Sequence, residues 1–190
     1  MTYASPSTQH PGDTPDLPSV PRSVSEVVAE VLALLLVAGG VVYSLVAWSG
    51  LPARIPTHLD VHGTINGYGS RNVLLLLPVI TVAVYALLTL VSRHPRFFNY
   101  PVKPGAGELA EQRRLARWFL SWMKVGIAGL FGVIGIVVVS IAKSKGPAVS
   151  TGTNLALVAV IGVGVVSELG LVVSYLVRSR RIHARQTRHE

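Results

Sequence analysis

The chain has 190 residues, no cysteine, 50% hydrophobic residues and a formal net charge of +8 at pH 7. The lack of cysteine excludes disulfides, thiol catalysis and Cys-ligated zinc or iron–sulfur centres. The hydrophobic fraction is at the upper end of the globular range; its arrangement in long blocks points to a membrane protein with no room for a large soluble domain.

In chain order, residues 1–24 are rich in Pro, Ser, Thr and Asp. They offer too little apolar surface to offset their ordering entropy and read as a disordered tail, not as a signal peptide. The first span is expected at about residues 27–48, and residues 31–48 carry no charge. A run of about 18 or more apolar residues crosses the roughly 30 Å hydrocarbon core as a helix. Ser23 or Ser25 suits its N-cap, and Glu26 and Glu30 suit its positive end. Trp48 marks the far interface. The segment 49–72 is polar, with two His, one Asp, two Arg and several turn-forming Pro and Gly residues.

The second span is expected at about residues 73–92. Pro78 near its outer end removes a backbone hydrogen bond and predicts a kink. Prolines oppose helix in residues 92–104. Residues 107–117 read as a helix with Glu108 and Glu111 ahead of Arg113, Arg114 and Arg117, an order that complements the helix dipole. It leads into a third span at about 118–142, with Trp118 and Trp122 one turn apart as interfacial anchors. Gly126, Gly129, Gly132 and Gly135 form a slowly winding groove in which another helix can approach closely, with Ala38, Gly39, Gly40, Gly162 and Gly164 as counterparts. The fourth span, about 154–177, contains one charge, Glu168. Residues 178–190 form a basic tail, and residues 25–177 form the membrane domain.

The charge follows the spans. Arg22, the segment between spans two and three, and the segment after span four hold twelve basic residues; the opposite side holds Arg54, Arg71, Lys143 and Lys145. By the positive-inside rule both termini are cytoplasmic and segment 49–72 faces outward. The basic charge therefore reflects topology and attraction to anionic lipid, not nucleic-acid binding.

Two ionisable groups fall inside spans. Lys124 and Glu168 lie at similar depths, and an interhelical pair between them would lower the cost of burying each. In the outer segment His58, Asp60 and His62 alternate, so in an extended backbone they share one face. This set suits zinc or another divalent metal. A hydrogen-bonded loop histidine and recognition of an external ligand are competing readings of the same residues. No nucleophile–base–orienter set and no phosphate-cradling loop is present, so no catalysis and no cofactor are expected.

The run Leu51-Pro52-x-x-Ile55-Pro56-x-His58, followed by Gly63 and Gly69-Ser70-Arg71, resembles the membrane family called domain of unknown function 1648. That domain also forms the N-terminal part of SdpI-type immunity proteins. Leu51, Pro52, Ile55, Pro56, His58 and Gly63 match the motif; family members often carry an acidic residue in place of Asn66 and Lys in place of Arg71. The resemblance covers roughly residues 31–91. It implies a multi-pass bacterial plasma-membrane protein and, in SdpI-type proteins, protection against a secreted toxic peptide.

The expected fold is an all-α, four-span membrane bundle with both termini cytoplasmic. The expected function is a sensor or immunity-type protein whose outer segment 49–72 meets a peptide or envelope partner. His58 is its central polar contact, Arg54 and Arg71 supply charge, and Leu51, Pro52, Ile55, Pro56 and Gly63 shape the loop. The lipid bilayer is the first partner; a second copy of the chain is another. One rival is a small transporter or channel subunit using Glu168. The other is a metal-dependent membrane enzyme using His58, Asp60 and His62.

Overall fold

The computed structural model describes residues 20–60, 62, 64–94, 97, 98, 100, 101, 104, 105, 107–144 and 150–186. The expected tail residues 1–19 lie outside them, as does Gly63 of the loop motif. Four helices, α1 (Val24–Ser49), α2 (Leu76–Arg93), α3 (Leu109–Lys143) and α4 (Thr151–Gln186), carry most of the chain. Between α1 and α2 lie strands β1 (Arg54–Leu59) and β2 (Ile65–Ser70) and a 3-10 helix, Arg71–Leu75. Four helical segments are long and apolar enough to cross a membrane: Val24–Ser49, Arg71–Arg93, Leu109–Lys143 and Gly152–Arg185.

The packing is the reverse of a water-soluble protein's. The buried residues of α1 are Glu26, Ala29, Ala33, Val37, Ser44 and Ala47, whereas large apolar side chains such as Leu35, Val79 and Val163 point outward. Small and polar residues face the neighbouring helices and bulky ones face the surroundings, the arrangement that lipid favours.

Ser23 is the N-cap of α1, its hydroxyl accepting the Glu26 N–H. The helix then runs parallel to α3. Trp122 donates to Ser25, Arg117 pairs with Glu26 at 3.4 Å, and Ser121 and Lys124 both reach Glu30. Helix α2 returns antiparallel, with Thr89 beside Lys124 and Leu77 beside Gly135. Pro78 is the third residue of α2. In the first turn its missing N–H is one of the groups a helix leaves unpaired anyway, so it helps start the helix where the sequence predicts a kink.

Helix α4 lies antiparallel along α3, matched in pairs: Gly164 with Leu130, Glu168 with Gly126, Tyr175 stacked on Phe119, and Ser179 with Gln112. Its extended contact is with α3 alone among the described helices. The bundle is therefore a three-helix core with α4 fastened to one side. Helix α4 also continues past Val177 to Gln186, so the basic segment 178–186 is helical.

The Lys124–Glu168 pair does not form. Lys124, 2% exposed, donates to Glu30 at 2.6 Å and to Thr89 at 3.1 Å, and lies 5.2 Å from the centre of the Tyr85 ring. Glu168 is on the other side of α3, its carboxyl occupying the space that a Cβ at Gly126 would fill. Equal depth was legible from residue counts; the helix face was not, and α1 approaches Lys124 first.

Breaking a buried ion pair on one side leaves an uncompensated charge. Lys124→Met and Glu30→Gln should each lower the unfolding midpoint in detergent, and the double variant should recover part of the loss, with a coupling of about 1–3 kcal/mol. Strictly additive effects would show that the pair contributes nothing.

Candidate functional site

The segment between α1 and α2 folds as an antiparallel hairpin seated on the helix ends. Leu51 and Ile55 are buried and pack with Ala47, Leu74, Val139 and Ala142, so the two large apolar residues of the motif anchor the hairpin. Arg71 closes its base. Its guanidinium donates to the Leu51 carbonyl at 3.1 Å and stacks 4.1 Å above the Trp48 ring, and its backbone N–H donates to the Ala53 carbonyl. Trp48 in turn donates to Asn72.

The register runs Arg54 with Ser70, Ile55 with Gly69, Pro56 with Tyr68, His58 with Gly67 and Leu59 with Ile65. Thr57 and Asn66 are the extra residues at two irregularities, and such bulges re-aim side chains. Gly67 and Gly69 are required here. A Cβ at Gly67 would come within 2.9 Å of the His58 Cβ, and one at Gly69 within 2.8 Å of Thr57 Cγ2. The glycines thus form a floor across which Thr57 and His58 lie. The Asn66 side chain reaches back to hydrogen-bond His58 Nδ1.

His58, Asp60 and His62 do not form a ligand set. Asp60 is occupied with the turn, accepting the backbone N–H groups of Thr64 at 2.8 Å and His62 at 2.9 Å. These bonds, Thr64's foremost, hold its carboxyl below the ordinary aspartate range. The alternation assumed an extended strand through residue 62, whereas β1 ends at Leu59 and Asp60 and His62 lie beyond it. Among the described residues no group of three or more His, Asp or Glu is placed to hold a metal ion.

Of the expected contact residues, Arg54 and His58 are exposed on the hairpin, and Arg71 is half-buried in the base. Pro56 lies on the hairpin's inner side and Pro52 is exposed. Sequence reasoning missed Asn66; its signal was the position where the resembling family often carries an acid, now seen to face His58. It also missed an apolar cavity of about 290 Å³ under the hairpin. Ile55, Pro56 and Leu59 roof it, Leu77 and Ile80 of α2 and Ile134 of α3 wall it, and the N-terminal half of α4 borders it through Leu157 and Ile161.

The family match falls on this region. Residues 35–82 match the family described as "Domain of unknown function (DUF1648)", a match covering the second half of α1, the hairpin, the 3-10 helix and the first turns of α2. A protein described as "Uncharacterized protein" from Archaeoglobus fulgidus is 34% identical over 92 residues, 44% of this chain and 50% of the relative. The chain thus spans about half the length of the curated relative it matches. No solved structure matches.

The Asp60 turn carries a pH signature. A folded-state value below the ordinary one means that the carboxylate's contribution is complete above the ordinary aspartate value and is lost as pH falls through the lower folded value. The Thr64 amide resonance should therefore titrate at a pH below that of an unperturbed aspartate, and Asp60→Asn should abolish the inflection. Titration at or above the ordinary value would mean that the turn does not use this carboxylate.

Proposed function

We propose that this protein is a plasma-membrane sensor or protective protein of the immunity type, which receives an apolar side chain of a peptide or envelope partner in the cavity under its outer hairpin. The observation that carries the reading is that cavity. An apolar void of about 150 Å³ stays dry and binds benzene; this one, at about 290 Å³, has room for a bulky hydrophobic side chain. Arg54, His58 and Tyr68, exposed elsewhere on the same hairpin, offer charge, an imidazole and a phenol to the rest of a bound peptide. Such a site combines apolar walls with a few placed polar groups.

The orientation is part of the proposal. The start of α1, the end of α2, the start of α3 and the end of α4 share one end of the molecule, and Arg93, Arg113, Arg114, Arg117, Arg178, Arg180, Arg181 and Arg185 collect there. The hairpin end holds Arg54, Arg71 and Lys143. The positive-inside rule then supports cytoplasmic termini and an external hairpin. Residues 35–82 are similar to DUF1648, and the protective role is proposed from the resemblance of the Leu51–Arg71 motif to SdpI-type immunity proteins.

Glu168 supports a second reading, a small transporter or channel subunit. Its carboxyl sits in the notch at Gly126 with no basic partner among the described residues, and an ionisable group within a span is a candidate coupling site. Proton- or substrate-dependent flux in liposomes, lost in Glu168→Gln, would replace the receptor reading.

The chain has no cysteine, so single cysteines report sidedness. Thr57→Cys should react with a membrane-impermeant maleimide in intact cells and Arg180→Cys should not. In cells challenged with membrane-active peptides, His58→Ala and the cavity-filling Ile134→Trp should each remove most of the growth difference between cells with and without the protein, at unchanged membrane insertion. The reverse labelling pattern, or full protection by both variants, would overturn the proposal.

A further inference from the structure

The opposite end of the molecule holds a second cavity, of about 350 Å³, between the start of α1, the start of α3 and the end of α4. Four arginines line it: Arg114 from α3, and Arg178, Arg181 and Arg185 from α4. Spacings of three and four residues put the three α4 arginines on one helix face, whereas Arg180 falls on the other. Among the described residues no carboxylate lies within ion-pair distance of these four. Two carboxylates also border the space, Glu26 and Glu111; Glu26 is engaged by Arg117 at 3.4 Å. Four guanidinium groups thus face two carboxylates, one of them shared with Arg117, and the cleft keeps a net positive charge although like charges gathered in it repel each other.

The remaining walls are apolar. Leu115, Trp118 and Ile182 line the same cavity, and the Arg178 guanidinium is held 4.6 Å above the Trp118 ring. At 1.5 Å per residue α3 and α4 are each roughly 50 Å long, against a hydrocarbon core of roughly 30 Å, so their basic ends project past the apolar region. The cavity sits where that projection begins, beside a tryptophan of the interfacial type. Guanidinium groups converging beside an apolar wall match a phosphate group attached to an acyl chain, because arginine forks bind phosphate oxygens in pairs.

We propose that this cleft is a phosphate-binding site for an anionic amphiphile, with Arg114, Arg178, Arg181 and Arg185 holding the phosphoryl oxygens and Leu115, Trp118 and Ile182 taking the first part of an acyl chain. It stands apart from the hairpin cavity and does not depend on the function assigned there. A phospholipid headgroup and a free phosphate compound share this chemistry, and the experiment separates them.

The full-length protein in neutral detergent is titrated with phosphatidylglycerol, phosphatidylcholine and inorganic phosphate, with binding read by native mass spectrometry and by the shift in unfolding temperature. Saturable binding of phosphatidylglycerol over phosphatidylcholine is expected, weakened at least about tenfold in Arg181→Gln/Arg185→Gln, since each basic group near an anionic lipid contributes appreciably to affinity. Arg180→Gln should leave it unchanged. Inorganic phosphate acting as strongly as the lipid would support the site with a soluble ligand as its source. Equal losses in Arg180→Gln and in the double variant would reduce the effect to diffuse charge and overturn the proposal. The unsubstituted protein decides on its own if the double variant does not fold: no preference for phosphatidylglycerol or phosphate over phosphatidylcholine overturns it.

Discussion

Lys124 carries an ammonium group into the apolar part of a helix bundle, where a lone charge costs about 3 kcal/mol or more. Its three donors have to be met from within the protein. Glu30 of α1 and Thr89 of α2 meet two of them, and the Tyr85 ring faces the same group. One side chain therefore fixes the rotation and register of three helices. The small residues follow from it. Helix α1 can bring Glu30 to Lys124 only if its backbone runs close to α3, and Ala29, Ala33, Ser44 and Ala47 on the buried face allow that approach. Ser121, donating to the same Glu30 oxygen at 2.8 Å, leaves that carboxylate little freedom to swing away.

At the hairpin end the constraint is different. Helices that end at a membrane surface leave apolar side chains facing water, and the hairpin covers them. Leu51 and Ile55 supply the contact, and Arg71 and Trp48 lock the base. Most of the motif is thus scaffold. The hairpin residues without such duties are Arg54 and Tyr68, with His58 held by Asn66.

Much of this was legible in the chain. The spans could be read because a membrane helix must be apolar over a fixed length, and that requirement survives in the sequence as uninterrupted blocks. The Ser23 cap and the continuation of α3 from the helix that begins before it rest on equally local rules. The hairpin was not legible: β1 contains proline and β2 contains two glycines, which oppose strand by propensity. They are tolerated because the hairpin is short and its glycines make room for Thr57 and His58. The partner of Lys124 was missed for another reason. Depth follows from counting residues, but facing depends on how helices rotate against one another, and no local rule specifies that.

Helix α4 joins the two cavities. Its N-terminal half contributes Leu157 and Ile161 to the apolar space under the hairpin, and its C-terminal half contributes three of the four arginines of the basic cleft. In its C-terminal half it is held to α3 and its N-cap by the Gln112–Ser179 pair, the Phe119–Tyr175 stack and the His183–Glu108 contact. The Lys124 network binds α1, α2 and α3 to one another and does not include α4. Two sites influence each other only through an element whose arrangement both of them bias. In this fold α4 is the helix that borders both cavities while lying outside the buried charge network. The Gln112–Ser179 pair and the Phe119–Tyr175 stack fix α4 against α3, as the Lys124 contacts fix α1 and α2.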